Sequence, residues 1–246
     1  VDVLGLDICH GAQLETAQQL NGLINYMVAS QESILASGWN YTKVLSRISQ
    51  GNRSPIEFCS DIVEAYRDAY RMTPDYTLSV LDMQTTASGS KTTLFTALID
   101  NLDNLSGALV GLLSGPQRAA VKQLIASTRK KACEFYDSEY IDLHLFILGL
   151  QTSIRAALKS NDFRNKYPDA ATQLQNCLTQ SMAILDLIYK VIPYYVAGVA
   201  FAGNPISARG VSIAYPTRVI QPSYTKTRFF KETEWYPLLR EMLSNK

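Results

Sequence analysis

The chain carries no excess of either charge. Of its 246 residues 18% are charged, and they balance to +1. No basic field of the kind that holds nucleic acid is implied, and the short run Arg129-Lys130-Lys131 reads as one solvated helix face. No apolar run reaches the roughly 18 residues of a membrane span. The most apolar stretch, Ile184 to Phe201, is broken by Asp186, Lys190 and Pro193. Cysteine is scarce: Cys9, Cys59, Cys133 and Cys177 are too few for a disulfide scaffold and match no zinc spacing. Histidine is scarcer still, with only His10 and His144. There is no internal repeat, no low-complexity linker and no visible secretory leader. The chain opens inside a strand pattern, so the start of the parent protein is expected upstream. The length suits one large domain with a substantial core.

What is present is an alternation of strand and helix signals. Val3 to Ile8 is a continuous apolar run broken only by Gly5 and Asp7, the pattern of a strand (2–8) covered on both faces, as in a parallel sheet. A helix is expected over 12–22, a strand over 24–29 and a loop over 30–40. Ser54-Pro55 opens a helix to about Met72, with Ser54 as N-cap and Pro55 in the first turn. A strand over 76–82 follows. Residues 91–189 read as about four successive helices, with breaks at Gly115-Pro116, Asp137-Ser138 and around Asn161 and Pro168. The chain closes with a strand over 194–201, a turn at Gly203-Asn204-Pro205, a strand over 210–215, an irregular stretch over 216–231 and a helix over 233–243. The expected organisation is an α/β core over 1–90, a helical insertion over 91–190, and closing strands with a C-terminal helix over 191–246 that belong to the same core.

The stretch Gly5-Leu6-Asp7-Ile8-Cys9-His10-Gly11 carries the chemistry. A cysteine at the C-terminal end of a strand, just before a helix, sits where open α/β sheets place their ligands. A nearby helix N-terminus favours the thiolate, the reactive form. The alternative is an inert packed cysteine, which is the default for Cys59, Cys133 and Cys177 on apolar helix faces. Asp7, two residues before Cys9, would share its face of an extended strand. It is read either as a pocket carboxylate or as an acid capping the following helix.

Further motifs resolve the choice. Asp7-Ile8-Cys9 with Glu15 and Ala17, then Tyr26-Met27-Val28-Ala29-Ser30-Gln31-Glu32, then Gly38-Trp39-Asn40-Tyr41, resemble the clostripain family of cysteine peptidases. The likeness continues in order through Tyr76–Asp82, Tyr140–Leu143, Gly210–Pro216 and Thr233–Leu239. The resemblance implies a caspase-like three-layer α/β sandwich with a mainly parallel central sheet and a large helical insertion. It implies a Cys9 nucleophile and an Asp7 that lines the specificity pocket and pairs with arginine or lysine of the substrate. In the family a second acid often precedes the glycine of the Gly-Trp loop. Here that position is Ser37, which removes a charge. Trp39 and Tyr41 offer an aromatic wall, ordinary packing being the alternative.

A cysteine peptidase also needs a general acid/base, for which histidine is suited. His10 adjoins Cys9 but on an extended strand would face away. His144 sits in an apolar helical setting, Leu143-His144-Leu145-Phe146. Neither fits the family's His-Gly motif, which precedes the cysteine strand. The resemblance therefore implies a light chain, cut from the same precursor, that carries the catalytic histidine and pairs with strand 2–8. It also implies a secreted, periplasmic or cell-envelope bacterial protein. No cofactor is expected, although some family members are calcium-activated; no loop here has the ligand spacing of a known calcium motif. The contrasting expectation is a non-catalytic binding module on the same fold. A purely structural helical protein would not explain the strand–cysteine motif.

Overall fold

The computed structural model describes residues 1–49, 51–198, 200–201, 204–205 and 208–244. The N-terminal unit runs β1 (Val3–Gly5), α1 (Leu14–Leu20), β2 (Tyr26–Ala29), α2 (Tyr41–Ile48), α3 (Pro55–Tyr70) and β3 (Thr77–Asp82). A helical run follows: α4 (Leu94–Leu112), α5 (Arg118–Lys131), a short strand β4 (Tyr140–Asp142), α6 (Leu143–Lys159), α7 (Asn161–Lys166) and α8 (Pro168–Val191). The chain ends with β5 (Tyr194–Ala197), β6 (Ala200–Phe201), β7 (Asn204–Pro205), β8 (Ser212–Ala214), a 3₁₀ turn at Tyr224–Lys226, α9 (Arg228–Glu232) and α10 (Trp235–Leu243).

The main sheet has the order β1-β2-β3-β5. β1 pairs parallel with β2, while β2–β3 and β3–β5 are antiparallel. The central sheet is thus mixed, not mainly parallel. The expectation failed because it inferred direction from burial. β2 is buried along its whole length and β3 nearly so, and coverage on both faces produces that pattern whichever way the strands run. The two faces are visible in the packing. Met27, Ala29 and Leu81 feed one core, shared with α1, α4, α6, α8 and α10. Their neighbours Tyr26, Val28, Leu78 and Val80 feed another, shared with α3 and Trp39. One residue alternates with the next across the sheet, so the molecule has three layers.

Several boundaries differ from the sequence expectation for reasons of hydrogen bonding. Helix α1 starts at Leu14, not Ala12, because the Ala12 N–H bonds the Ser30 carbonyl and its carbonyl accepts from Ser212 N–H, both in sheet contacts. Between the expected loop and α3 stands α2, capped by Asn40, whose side chain accepts from the Lys43 N–H. Tyr140–Asp142 is a strand paired with β8, and Asp142 caps α6 by accepting from the Leu145 N–H at 2.7 Å. The expected irregular stretch 216–231 contains the 3₁₀ turn and most of α9. Of the expected strand over 194–201, Val199 lies outside the described residues. So does Gly203 of the expected turn; Asn204–Pro205 pairs with Ala200–Phe201. Among the described residues no helix is long and apolar enough to cross a membrane.

Candidate active site

The site is built on an excursion from the β1–β2 ladder. Leu6 N–H donates to the Val28 carbonyl at 2.8 Å, and the next bond in that ladder is Ala12 N–H to the Ser30 carbonyl, also at 2.8 Å. On β2 these acceptors are two residues apart; on the first strand the donors are six apart. Residues 7–11 therefore loop out of the sheet end, carrying Asp7, Cys9 and His10. The arc turns sharply at His10, the one described non-glycine residue in the left-handed region, with φ 53°. Its N–H reaches back to the Glu32 carbonyl, and its Nδ1 is 3.0 Å from the Gln31 carbonyl oxygen. Its ring stacks on Tyr140.

This arc replaces the strand geometry assumed for Asp7 and Cys9. β1 ends at Gly5, so strand alternation does not set the direction of either side chain. Nor does α1 begin beside Cys9, being displaced to Leu14. Cys9 is exposed, whereas Cys59 and Cys177 are buried. Burial pushes the thiols of Cys59 and Cys133 up to about 12 and that of Cys177 to about 11, which leaves them protonated and unreactive.

Asp7 does not cap α1. It turns toward the Gly-Trp loop, where Oδ2 accepts from the Trp39 N–H at 3.2 Å and the Tyr41 hydroxyl at 2.8 Å. Oδ1 is buried without a partner. The bond to Asp7, more than burial, holds the Tyr41 hydroxyl above its ordinary pKa. Gly38 is required here: its φ is +63°, and a Cβ would lie 2.8 Å from Asp7 Oδ2. The Gly38 carbonyl accepts from Tyr70 of α3 at 2.6 Å. Ser37 is exposed. Trp39 is 7% exposed and packs in the second core, while Tyr41, stacked on it, is 53% exposed. Of the two rings it is Tyr41 that meets solvent.

Glu32 is also buried, and its oxygens accept from the Ser33 and Tyr136 N–H groups. It fixes a neighbouring loop. The sequence reading gave Gln31 no role. It is 1% exposed, with its amide donating to Asp142 and its side-chain oxygen accepting from Gly210 N–H at 2.7 Å. It thereby ties the turn under His10 to β4 and β8. Asp142 is fully buried, accepts also from Arg209 N–H, and is pushed up chiefly by that burial. His144 has Nε2 3.0 Å from the Tyr189 hydroxyl and an unpartnered buried Nδ1; burial lowers its pKa. Among the described residues neither histidine hydrogen-bonds Cys9, and no group of three or more His, Cys, Asp or Glu side chains is gathered as metal ligands.

A model of the clostripain family matches residues 1–192. In three dimensions the chain is similar to a clostripain from Bacteroides thetaiotaomicron, solved in complex with the peptide inhibitor BTN-VLTK-AOMK. The TM-score is 0.57 at 14% identity, over 94% of this chain and 86% of that one. It is similar to an inactive zymogen C11 protease from Parabacteroides distasonis, with a TM-score of 0.56 at 16% identity, over 94% of this chain and 58% of the other. A secreted C11 cysteine protease from B. thetaiotaomicron gives 0.56 at 14% identity, over 95% and 55%. At these identities the likeness is one of fold. No curated protein sequence matches the chain.

Proposed function

The chain belongs to the clostripain family of cysteine peptidases, with the caspase-like α/β fold, and on that premise we propose that Cys9 is its nucleophile and Asp7 the acid of its specificity pocket. The observation that carries this reading is the excursion of residues 7–11. It presents an exposed cysteine and a carboxylate on one short arc at a sheet end, while the other three cysteines are held as protonated thiols.

The chemistry follows. The Cys9 thiolate attacks the scissile carbonyl carbon, and the carbonyl electron pair moves to oxygen. The Cys9 backbone N–H, at the turn, is a donor for that oxyanion. Collapse of the intermediate breaks the C–N bond, and the amine leaves with a proton from a histidine. Water then hydrolyses the thioester. The histidine comes from a second segment. His10 and His144 are both engaged away from Cys9, and β1 pairs with β2 on one edge while its other edge has no strand partner among the described residues. An unpaired edge is a template for another strand. A light chain from the same precursor would fill it and bring the histidine beside Cys9. The zymogen relative accords with such processing.

Asp7, with one buried and unpartnered oxygen, supports cleavage after lysine or arginine. The inhibitor on the B. thetaiotaomicron clostripain, whose peptide VLTK ends in lysine, points the same way. The secreted relative supports a secreted or envelope setting in a bacterium. The test is a limiting dose of a thiol-directed probe followed by peptide mapping. Label concentrated on Cys9, with loss of peptidase activity in proportion, is the expected result. Equal labelling of Cys133, or activity that survives full labelling of Cys9, would overturn the assignment. A non-catalytic binding module would bind peptide without turnover in the same assay.

A further inference from the structure

Arg209 stands between two tyrosine rings. Its guanidinium carbon lies 4.3 Å from the ring centre of Tyr189, on α8, and 4.4 Å from that of Tyr195, on β5. A planar guanidinium has two faces, and a ring on each leaves its edge, where the N–H donors point. Those donors are unspent. Among the described residues Arg209 makes one hydrogen bond, from its backbone N–H to Asp142 Oδ2 at 2.7 Å. Its side chain has no ion pair among them, and Nε is buried without a partner. Asp142 is committed elsewhere: Oδ2 also accepts from Gln31, and Oδ1 from the Leu145 N–H. The charge is felt at His144, whose Nε2 is 3.0 Å from the Tyr189 hydroxyl. Burial lowers the pKa of that imidazole most, and Arg209 lowers it further against the opposing pull of Asp142.

A cation whose donors leave water without an acceptor is disfavoured, and ring faces offset this only in part, because they act on the faces and not on the edge. A carboxylate removes the deficit. It is planar, it brings one negative charge to one positive charge, and it accepts two parallel bonds from the fork. Both rings are open enough to admit it, with Tyr189 49% and Tyr195 37% exposed. The upstream segment does not reach the site by pairing with β1, since β5 is at the opposite edge of the sheet. Toward Cys9, one buried side chain intervenes: Gln31 shares the Asp142 oxygen with Arg209, and its carbonyl oxygen is 3.0 Å from His10 Nδ1. We propose that Arg209, held between Tyr189 and Tyr195, is a binding site for a carboxylate, supplied by an acidic residue of a bound polypeptide or by a free small carboxylic acid. The site is independent of the role given to Asp7.

The experiment follows the Arg209 Nε–H resonance by heteronuclear NMR, in the chain assembled with the segment upstream of Val1. The probes are a blocked Ala-Glu-Ala peptide, whose only carboxylate is the side chain, the matched Ala-Gln-Ala peptide, and propionate. The glutamate peptide should give a saturable shift, with the glutamine peptide weaker by about tenfold or more. The His144 pKa should rise when the glutamate peptide is bound, because the carboxylate cancels the Arg209 charge. Arg209→Met keeps an unbranched side chain between the rings and should abolish saturation, read on the His144 ring protons. A glutamate peptide about tenfold tighter than propionate assigns the site to a polypeptide; equal affinities assign it to a free carboxylate. No saturable shift with either carboxylate would overturn the proposal, as would equal binding of the glutamine peptide or undiminished binding to Arg209→Met. The glutamate–glutamine comparison needs no variant, so it decides the matter even if Arg209→Met does not fold.

Discussion

Trp39 lies against Gly5: a Cβ added to Gly5 would fall 2.8 Å from the Trp39 ring. The strand that leads to Cys9 and the loop that holds Asp7 thus meet with nothing between the Gly5 backbone and the indole. The same tryptophan donates its backbone N–H to Asp7, so the contact sets the position of the carboxylate as well as packing the core.

Gly5→Ala is therefore expected to act twice. Forcing the indole aside costs roughly 1–3 kcal/mol, as overpacking does, and lowers the thermal midpoint by several degrees. It also shifts Asp7. Selectivity for basic over neutral substrates should fall more than kcat on the neutral one, read from a substrate panel alongside a melting curve.

Cys9→Ala should reduce peptide turnover on the order of 10⁴-fold or more, because it removes the covalent step. Its side chain is exposed, so the melting midpoint should stay close to the wild type. Cys59→Ala and Cys177→Ala should do the reverse, lowering stability through a cavity in the core with a smaller effect on rate.

Asp7→Asn should weaken catalysis on lysine and arginine substrates by roughly 2–5 kcal/mol, the cost of losing one member of a desolvated ionic pair. That is a fall of about 30-fold at the least. Neutral substrates should be nearly unaffected, which steady-state kinetics on paired substrates will show.

The pH dependence of folding has an identifiable source in Glu15. This acid is 5% exposed, Oε1 accepts from the Ala214 N–H at 2.8 Å, and Oε2 is unpartnered. Burial raises its pKa from 4.5 to about 7. A folded-state pKa above the unfolded one contributes stability below pH 4.5 that is lost as pH rises to about 7. Glu15→Gln removes the ionisation. Compared with wild type across pH 4–8, the variant should gain relative stability as pH rises, on the order of 3 kcal/mol at full extent, measured by urea titration. A constant difference across that range would show that Glu15 titrates in the fold as it does in the unfolded chain.

The free edge of β1 predicts a solubility phenotype. This chain produced alone should be poorly soluble or inactive, and activity should return when the segment upstream of Val1 is co-produced. A monodisperse, fully active 246-residue chain would refute the two-segment reading and bring His10 and His144 back into consideration.

Where sequence and structure part company, the cause lies in contacts distant along the chain. Cys9 and Asp7 stood out because a reactive residue at a strand end followed by a helix pattern is a local signal. Gln31 did not, since its partners Asp142 and Gly210 lie far along the chain and only the fold brings them to it. The start of α1 was misplaced because Ala12 has good helix propensity locally, but Ser30 and Ser212 claim its backbone groups. Strand direction was hidden by helices on both faces, which erase the alternation that would mark one side as wet. Helix α2 carries Tyr41, Val44, Leu45 and Ile48 at helical spacing, but 8 residues make too short a pattern to stand out, and the helix is held by contacts such as Arg47 with Asp61 and Glu64 of α3.

The arc from Leu6 to Ala12 is pinned at both feet to the same neighbouring strand, two residues apart. On it, the sulfur proposed to cut and the carboxylate proposed to read the substrate are separated by a single residue. Cleavage register is thereby fixed covalently: a displacement that advances the sulfur carries the reader with it. Loops elsewhere on this scaffold can lengthen, shorten or change partners, and the enzyme would alter which proteins it admits without altering where, relative to the recognised side chain, it cuts.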